Sequence, residues 1–98
     1  MGEDELDELE TELELRLLAE YKDVVRMFRY VVETERRFYL TNDVHVAVLN
    51  PATSLVEVTL TDAWVWDMYR PVRFVTSVRV LTNRDVNIET LPESDFSQ

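Results

Sequence analysis

The chain has 98 residues, 46% of them apolar and 31% charged, with a formal net charge of −10 and no cysteine. That is enough for one modest core. It excludes disulfides, thiolate metal sites and a cysteine nucleophile, and no apolar run approaches the roughly 20 residues that cross a bilayer.

Residues 1–23 hold ten acids and two bases. Within and just beyond that arm, Leu6, Leu9, Leu13, Leu17, Tyr21, Val24 or Val25 and Phe28 recur at steps of three and four, one stripe of an α-helix. The spacing predicts a helix over 4–27, about 36 Å long at about 1.5 Å per residue. Its acidic first part, 1–14, would protrude from a small body or pack on a second copy as a homo-oligomer contact. Leu15 and Leu18 widen the stripe and favour packing on a sheet over a coiled coil. The acidic start is unlike a secretory leader, which points to a cytoplasmic protein. It also repels membrane and nucleic acid and favours a basic partner, or else is a solvated helix face.

Residues 28–35 fit either a continued helix or a strand, since Phe28, Val31 and Val32 suit the first and the β-branched run the second. Beyond 36 the period is two. Phe38, Leu40, Asn42, Val44, Val46 and Val48 share one face, and Val56, Val58, Leu60, Asp62, Trp64, Trp66 and Met68 share another. Asn50-Pro51-Ala52-Thr53-Ser54 between them has turn composition. A hairpin in which residue i faces residue 104 − i pairs valine with valine, Leu40 with Trp64 and Phe38 with Trp66. The same register sets Asn42 against Asp62, expected as a buried structural polar pair, and Arg37 against Asp67 on the reverse face. Tyr69-Arg70-Pro71 interrupts the second strand. Val72, Phe74, Thr76, Val78 and Val80 resume alternation, Thr82–Asp85 reads as a turn, and Val86 with Ile88 suits a last short strand. The predicted fold is α+β: one long N-terminal amphipathic helix packed on an antiparallel β-meander of three to four strands, as a single domain over 1–91 with a disordered tail at 92–98.

Little here supports catalysis. Gly2 is the only glycine, so phosphate-cradling loops and dinucleotide fingerprints are absent. His45 is the only histidine and reads as an ordinary strand residue; no metal ligand set and no cofactor are expected. A carboxylate-based hydrolase would centre on Asp62, which burial would favour in its protonated form. The stronger constellation is arginine with aromatics. Arg36, Arg37, Tyr39, Asp67, Tyr69, Arg70 and Arg73 would gather at the end of the hairpin distant from Asn50-Pro51. Such side chains serve protein hot spots and equally stack on unpaired bases and grip phosphates. Internal ion pairs could also consume them. The predicted function is a non-enzymatic interaction module for a protein partner, the alternative an RNA- or DNA-contacting accessory protein.

Two runs resemble a known family. Glu20-Tyr21-Lys22-Asp23-Val24-Val25 leading into Tyr30 to Leu40, and Asp62-Ala63-Trp64-Val65-Trp66-Asp67-Met68-Tyr69-Arg70-Pro71-Val72-Arg73-Phe74-Val75, resemble an uncharacterised actinobacterial family of about a hundred residues, a domain of unknown function. Nine arginines to one lysine suit a high-GC genome. The resemblance implies a gene often placed near ribonuclease HII and hence a link to nucleic-acid metabolism. It assigns no catalytic or ligand residue.

Overall fold

A computed structural model describes residues 3–92. Of the tail expected at 92–98, residues 93–98 lie outside them. The chain begins with α1 (Glu3–Val24) and a single 3-10 turn, Val25–Met27. Five strands follow: β1 (Tyr30–Glu33), β2 (Phe38–Asn50), β3 (Leu55–Val65), β4 (Phe74–Thr82) and β5 (Asn87–Thr90). They form one sheet in the order β4-β3-β2-β1-β5, with the pairs β1–β2, β1–β5, β2–β3 and β3–β4 all antiparallel. The expected three to four strands are therefore five. The additional one is β1, in the segment that suited helix or strand equally.

The strand wins in 30–33 because helix propagation fails at Phe28, whose backbone is extended (φ −120°, ψ 156°). β1 then finds partners on both sides, β2 and β5. Thr34 turns the chain towards β2: its hydroxyl accepts from the Arg37 amide at 3.1 Å, and its amide donates to the Arg37 carbonyl at 2.9 Å.

The long hairpin keeps the predicted register. Tyr39 faces Val65, Leu40 faces Trp64, Val44 faces Leu60 and Val48 faces Val56, with a shift only at the turn, where Asn50 faces Leu55. Asn50 caps that turn by accepting from the Ala52 amide at 3.0 Å.

The faces differ from the simple alternation. Leu40 and Trp64 pack with Leu17, Val24, Phe28 and Val31 beneath α1, whereas Tyr39, Ala63 and Val65 pack with Val32, Val58 and Leu60 in a second cluster. Even-numbered residues of β3 thus lie in the second cluster up to Leu60, and odd-numbered ones from Ala63 onward. The slip falls at Asp62, whose φ is 58°. Aspartate tolerates this left-handed conformation better than most residues, and a strict period of two cannot foresee it. Asp62 is consequently exposed, not buried as expected. The Asn42 amide nevertheless donates to its carboxylate at 2.8 Å, at the surface. Thr41 next to it is fully buried, and its hydroxyl donates to the Thr61 carbonyl at 2.8 Å.

The sheet is also bent. A flat strand would carry Val48 about 33 Å from Phe38. Thr82 pairs beside Val56 at the far end of the hairpin, and Asn87 beside Glu33 at the near end. The five Cα–Cα steps from Thr82 to Asn87 span at most about 17 Å. The far half of β2–β4 must therefore curl back over the near half. The second cluster fills that curl, and α1 covers the outer side of the near half. Because the slip in β3 falls at a left-handed residue, Asp62→Gly should keep nearly wild-type stability, while Asp62→Val, which strongly disfavours φ > 0, should lose about 2 kcal/mol. Urea melts of the two variants check this; equal midpoints would show that the conformation of residue 62 does not matter.

Candidate functional site

The loop joining β3 to β4 is held by an arginine strut. Arg73 is only 11% exposed. Its Nε donates to the Asp67 carbonyl at 3.0 Å, one terminal nitrogen reaches the Met68 carbonyl at 3.4 Å, and the other meets Glu20 Oε2 at 2.6 Å. The other oxygen of Glu20 accepts from the indole of Trp64, a fully buried residue, at 2.7 Å. One carboxylate from α1 thus satisfies both the only polar atom of the central tryptophan and the charge of the strut. Asp67 organises the loop itself. It accepts from the Tyr69 amide at 3.1 Å and pairs with Arg37 across the hairpin at 2.8 Å.

These contacts sort the seven residues expected to share a surface. Arg37 and Asp67 do meet. Arg36, Tyr69 and Arg70 are exposed, and Arg70 Nε donates to the Val72 carbonyl at 2.7 Å. Arg73 points inward as the strut. Tyr39 is buried in the second cluster, on the face opposite Leu40. These two therefore do not stand exposed with the others: the slip at Asp62 turns Tyr39 towards the second cluster, and Glu20 draws Arg73 inward. Burial raises the Tyr39 phenol above its ordinary pKa, partly opposed by the charges of Arg37 and Arg70.

Two concavities lie near this loop. On the helix side, Tyr21, Phe38 and Trp66 line an apolar recess of about 330 Å³. Their planes meet at steep angles: 67° between Tyr21 and Phe38, 75° between Tyr21 and Trp66, and 78° between Phe38 and Trp66. The sequence offered a partial signal, since the register places Phe38 opposite Trp66 and Tyr21 lies on the helix stripe. All three read there as core. On the other side a polar groove of about 350 Å³ runs between the β1–β2 turn and the end of β4, lined by Arg36, Arg37, Tyr39 and Arg79. Glu57 stands 3.7 Å from Arg79.

The acidic helix start also has neighbours. Leu6 and Leu9 are each 49% exposed, while Leu17, further along the same stripe, is sealed beneath the sheet. Leu15 and Leu18 face outward and do not widen the buried stripe as expected. Tyr69 reaches α1: its phenol lies above its ordinary pKa through partial desolvation there, and through the charge of Glu10 with a hydrogen bond to it, then Glu14 and Asp67. Among the described residues no three His, Cys, Asp or Glu side chains are grouped to hold a metal ion, and His45 is exposed. No helix among them is long and apolar enough to cross a membrane.

This chain is 54% identical, over 97 residues, to the uncharacterized protein Rv2901c of Mycobacterium tuberculosis strain H37Rv; the match covers 98% of this chain and 96% of that protein. The uncharacterized protein MT2969 of M. tuberculosis strain CDC 1551 and the uncharacterized protein Mb2925c of Mycobacterium bovis match to the same extent. No solved structure matches. With residues 1–98 all matched, the chain belongs to the family described as Protein of unknown function (DUF2469).

Proposed function

We propose that this chain is a non-enzymatic cytoplasmic interaction module that binds a basic segment of a protein partner along the first half of α1 and the neighbouring loop. The observation that carries this is the divided helix stripe. Its second half is sealed beneath the sheet at Leu17 and Val24, whereas Leu6 and Leu9 stand half exposed among glutamates and aspartates. Tyr69 and Val72, each 64% exposed, extend the apolar patch onto the loop. Arg36, Arg37 and Arg70 border the loop and would contact acidic or carbonyl groups of the same partner. An acidic, leucine-bearing surface suits a basic amphipathic segment.

The test is affinity capture with the intact chain against a Leu6→Ser/Leu9→Ser variant of unchanged circular dichroism. A specific partner should be retained by the first and lost by the second, and its binding should weaken with salt as the acidic face is screened. Equal retention by both would remove the proposal.

The groove lined by Arg36, Arg37 and Arg79 favours the second reading, an RNA- or DNA-contacting accessory protein. Gel-shift titrations at low and moderate salt separate the two, because phosphate contacts weaken steeply with ionic strength. Arg36→Glu should abolish a true shift and leave protein capture intact.

A further inference from the structure

The three rings of the recess on the helix side pack edge to face, as aromatic side chains prefer, yet leave an open space between them. Three aromatic planes meet at 67° to 78°, with ring centroids 6.0, 5.2 and 5.8 Å apart. These are nearly three walls of a box, and all three line the same open space. A cation about 4 Å above each of two perpendicular rings implies a centroid separation of about 5.7 Å, within cation–π reach of both. The observed separations bracket that value.

The surrounding charge has the matching sign. Tyr21 stands on a helix whose residues 3–24 carry ten acids against Arg16 and Lys22. Glu14 lies two turns before Tyr21 on the same side of α1. Asp67, next to Trp66, is balanced by its pair with Arg37, next to Phe38, so the field comes from α1, where Glu10 and Glu14 also act on Tyr69. An apolar side chain gains nothing from that field, and an anion is repelled by it. The shape also selects among cations. A planar guanidinium stacks flat on one ring, whereas a compact ammonium is contacted by three perpendicular faces together.

We propose that Tyr21, Phe38 and Trp66 form an aromatic anchor site for a lysine ammonium of the basic partner segment. This rests on the interaction-module reading and adds to it the side chain that enters the recess. An unmodified ammonium is strongly hydrated and must shed water to enter. Methylation of the lysine lowers that cost and increases contact with the rings, so the trimethylated form binds tightest.

The experiment is an NMR titration of the intact protein with three short basic peptides. They differ at one central position: lysine, trimethyllysine, or the uncharged tert-butyl isostere of trimethyllysine. The Trp66 indole resonance reports on the recess. The Trp64 indole, buried and bonded to Glu20, serves as an internal control that should stay still. The expected order of affinity is trimethyllysine, then lysine, then the neutral isostere, with the charged and neutral methylated forms separated by roughly tenfold. Phe38→Leu, which keeps the site apolar and removes a wall, should weaken trimethyllysine binding by a similar factor while leaving the Trp64 resonance in place. Equal binding of the trimethylated and neutral peptides would overturn the anchor. So would peptide-induced shifts along α1 with Trp66 unmoved, a result that leaves the basic-partner reading standing. If no peptide shifts any α1 or Trp66 resonance, both fall together.

Discussion

Trp64→Ala is expected to lower the unfolding free energy by about 4 kcal/mol, the largest effect of any single truncation in this chain. For about a hundred residues that corresponds to roughly 20 °C in Tm. Trp64 is fully buried between the strands and α1, tilted against Tyr21 at 6.0 Å and edge-on to Trp66 at 5.9 Å. Removing it opens a cavity that helix and sheet can collapse into only partly, and it strips the Glu20 carboxylate of a donor. Trp64→Phe, which keeps most of the volume and loses the indole N–H, should cost clearly less. Calorimetry on the three proteins checks the order. A Trp64→Ala protein melting within about 5 °C of the parent would mean that the indole is not the keystone described above.

Glu20→Ala should cost about 2 kcal/mol, more than a surface ion pair and less than a fully buried one. Glu20 is about one-third exposed, but Arg73 is nearly enclosed and would lose the one carboxylate partner it has among the described residues. The penalty therefore falls mainly on the arginine left behind. Its double mutant with Arg73→Met should recover part of the loss, because a methionine fills the channel of the strut without carrying a charge. A double-mutant cycle in urea measures the coupling. Additive losses would show that the two side chains stand independently. By comparison, Glu12→Ala removes an exposed pair with Arg16 and should change stability by less than about 0.5 kcal/mol.

The hairpin was legible for a physical reason. Its valines repeat at a period of two in both strands, and a one-residue slide would break every match at once. The amphipathic stripe announced α1 in the same way, and Asn50-Pro51 announced the turn. What escaped the sequence were properties of single residues set by distant partners. Nothing local tells Asp62 to adopt a positive φ, yet that residue decides which side chains face α1 and which face the curl. Tyr39 and Arg73 were misplaced for the same reason. Their residue types suit a surface, but the slip buries one and Glu20 draws in the other. β1 is only four residues long and lacks a glycine or proline at its start. Its identity as a strand depends on partners on both sides, β2 close by and β5 more than fifty residues later. Of the candidate site, the arginines and the exposed loop aromatic were visible. The three-walled recess was not, because helix and hairpin must meet before Tyr21 can stand over Phe38 and Trp66.

The pairing of β1 with β5 bears on how the molecule is made. The last strand in sequence lies beside the first, so a nascent polypeptide emerging from the ribosome carries β1 with a bare edge until residues 87–90 are free. A bare edge invites pairing with another polypeptide. Completion of the sheet thus waits until residues 87–90 have been made, and a premature stop upstream of Asn87 would release a sticky fragment instead of a slightly shortened protein.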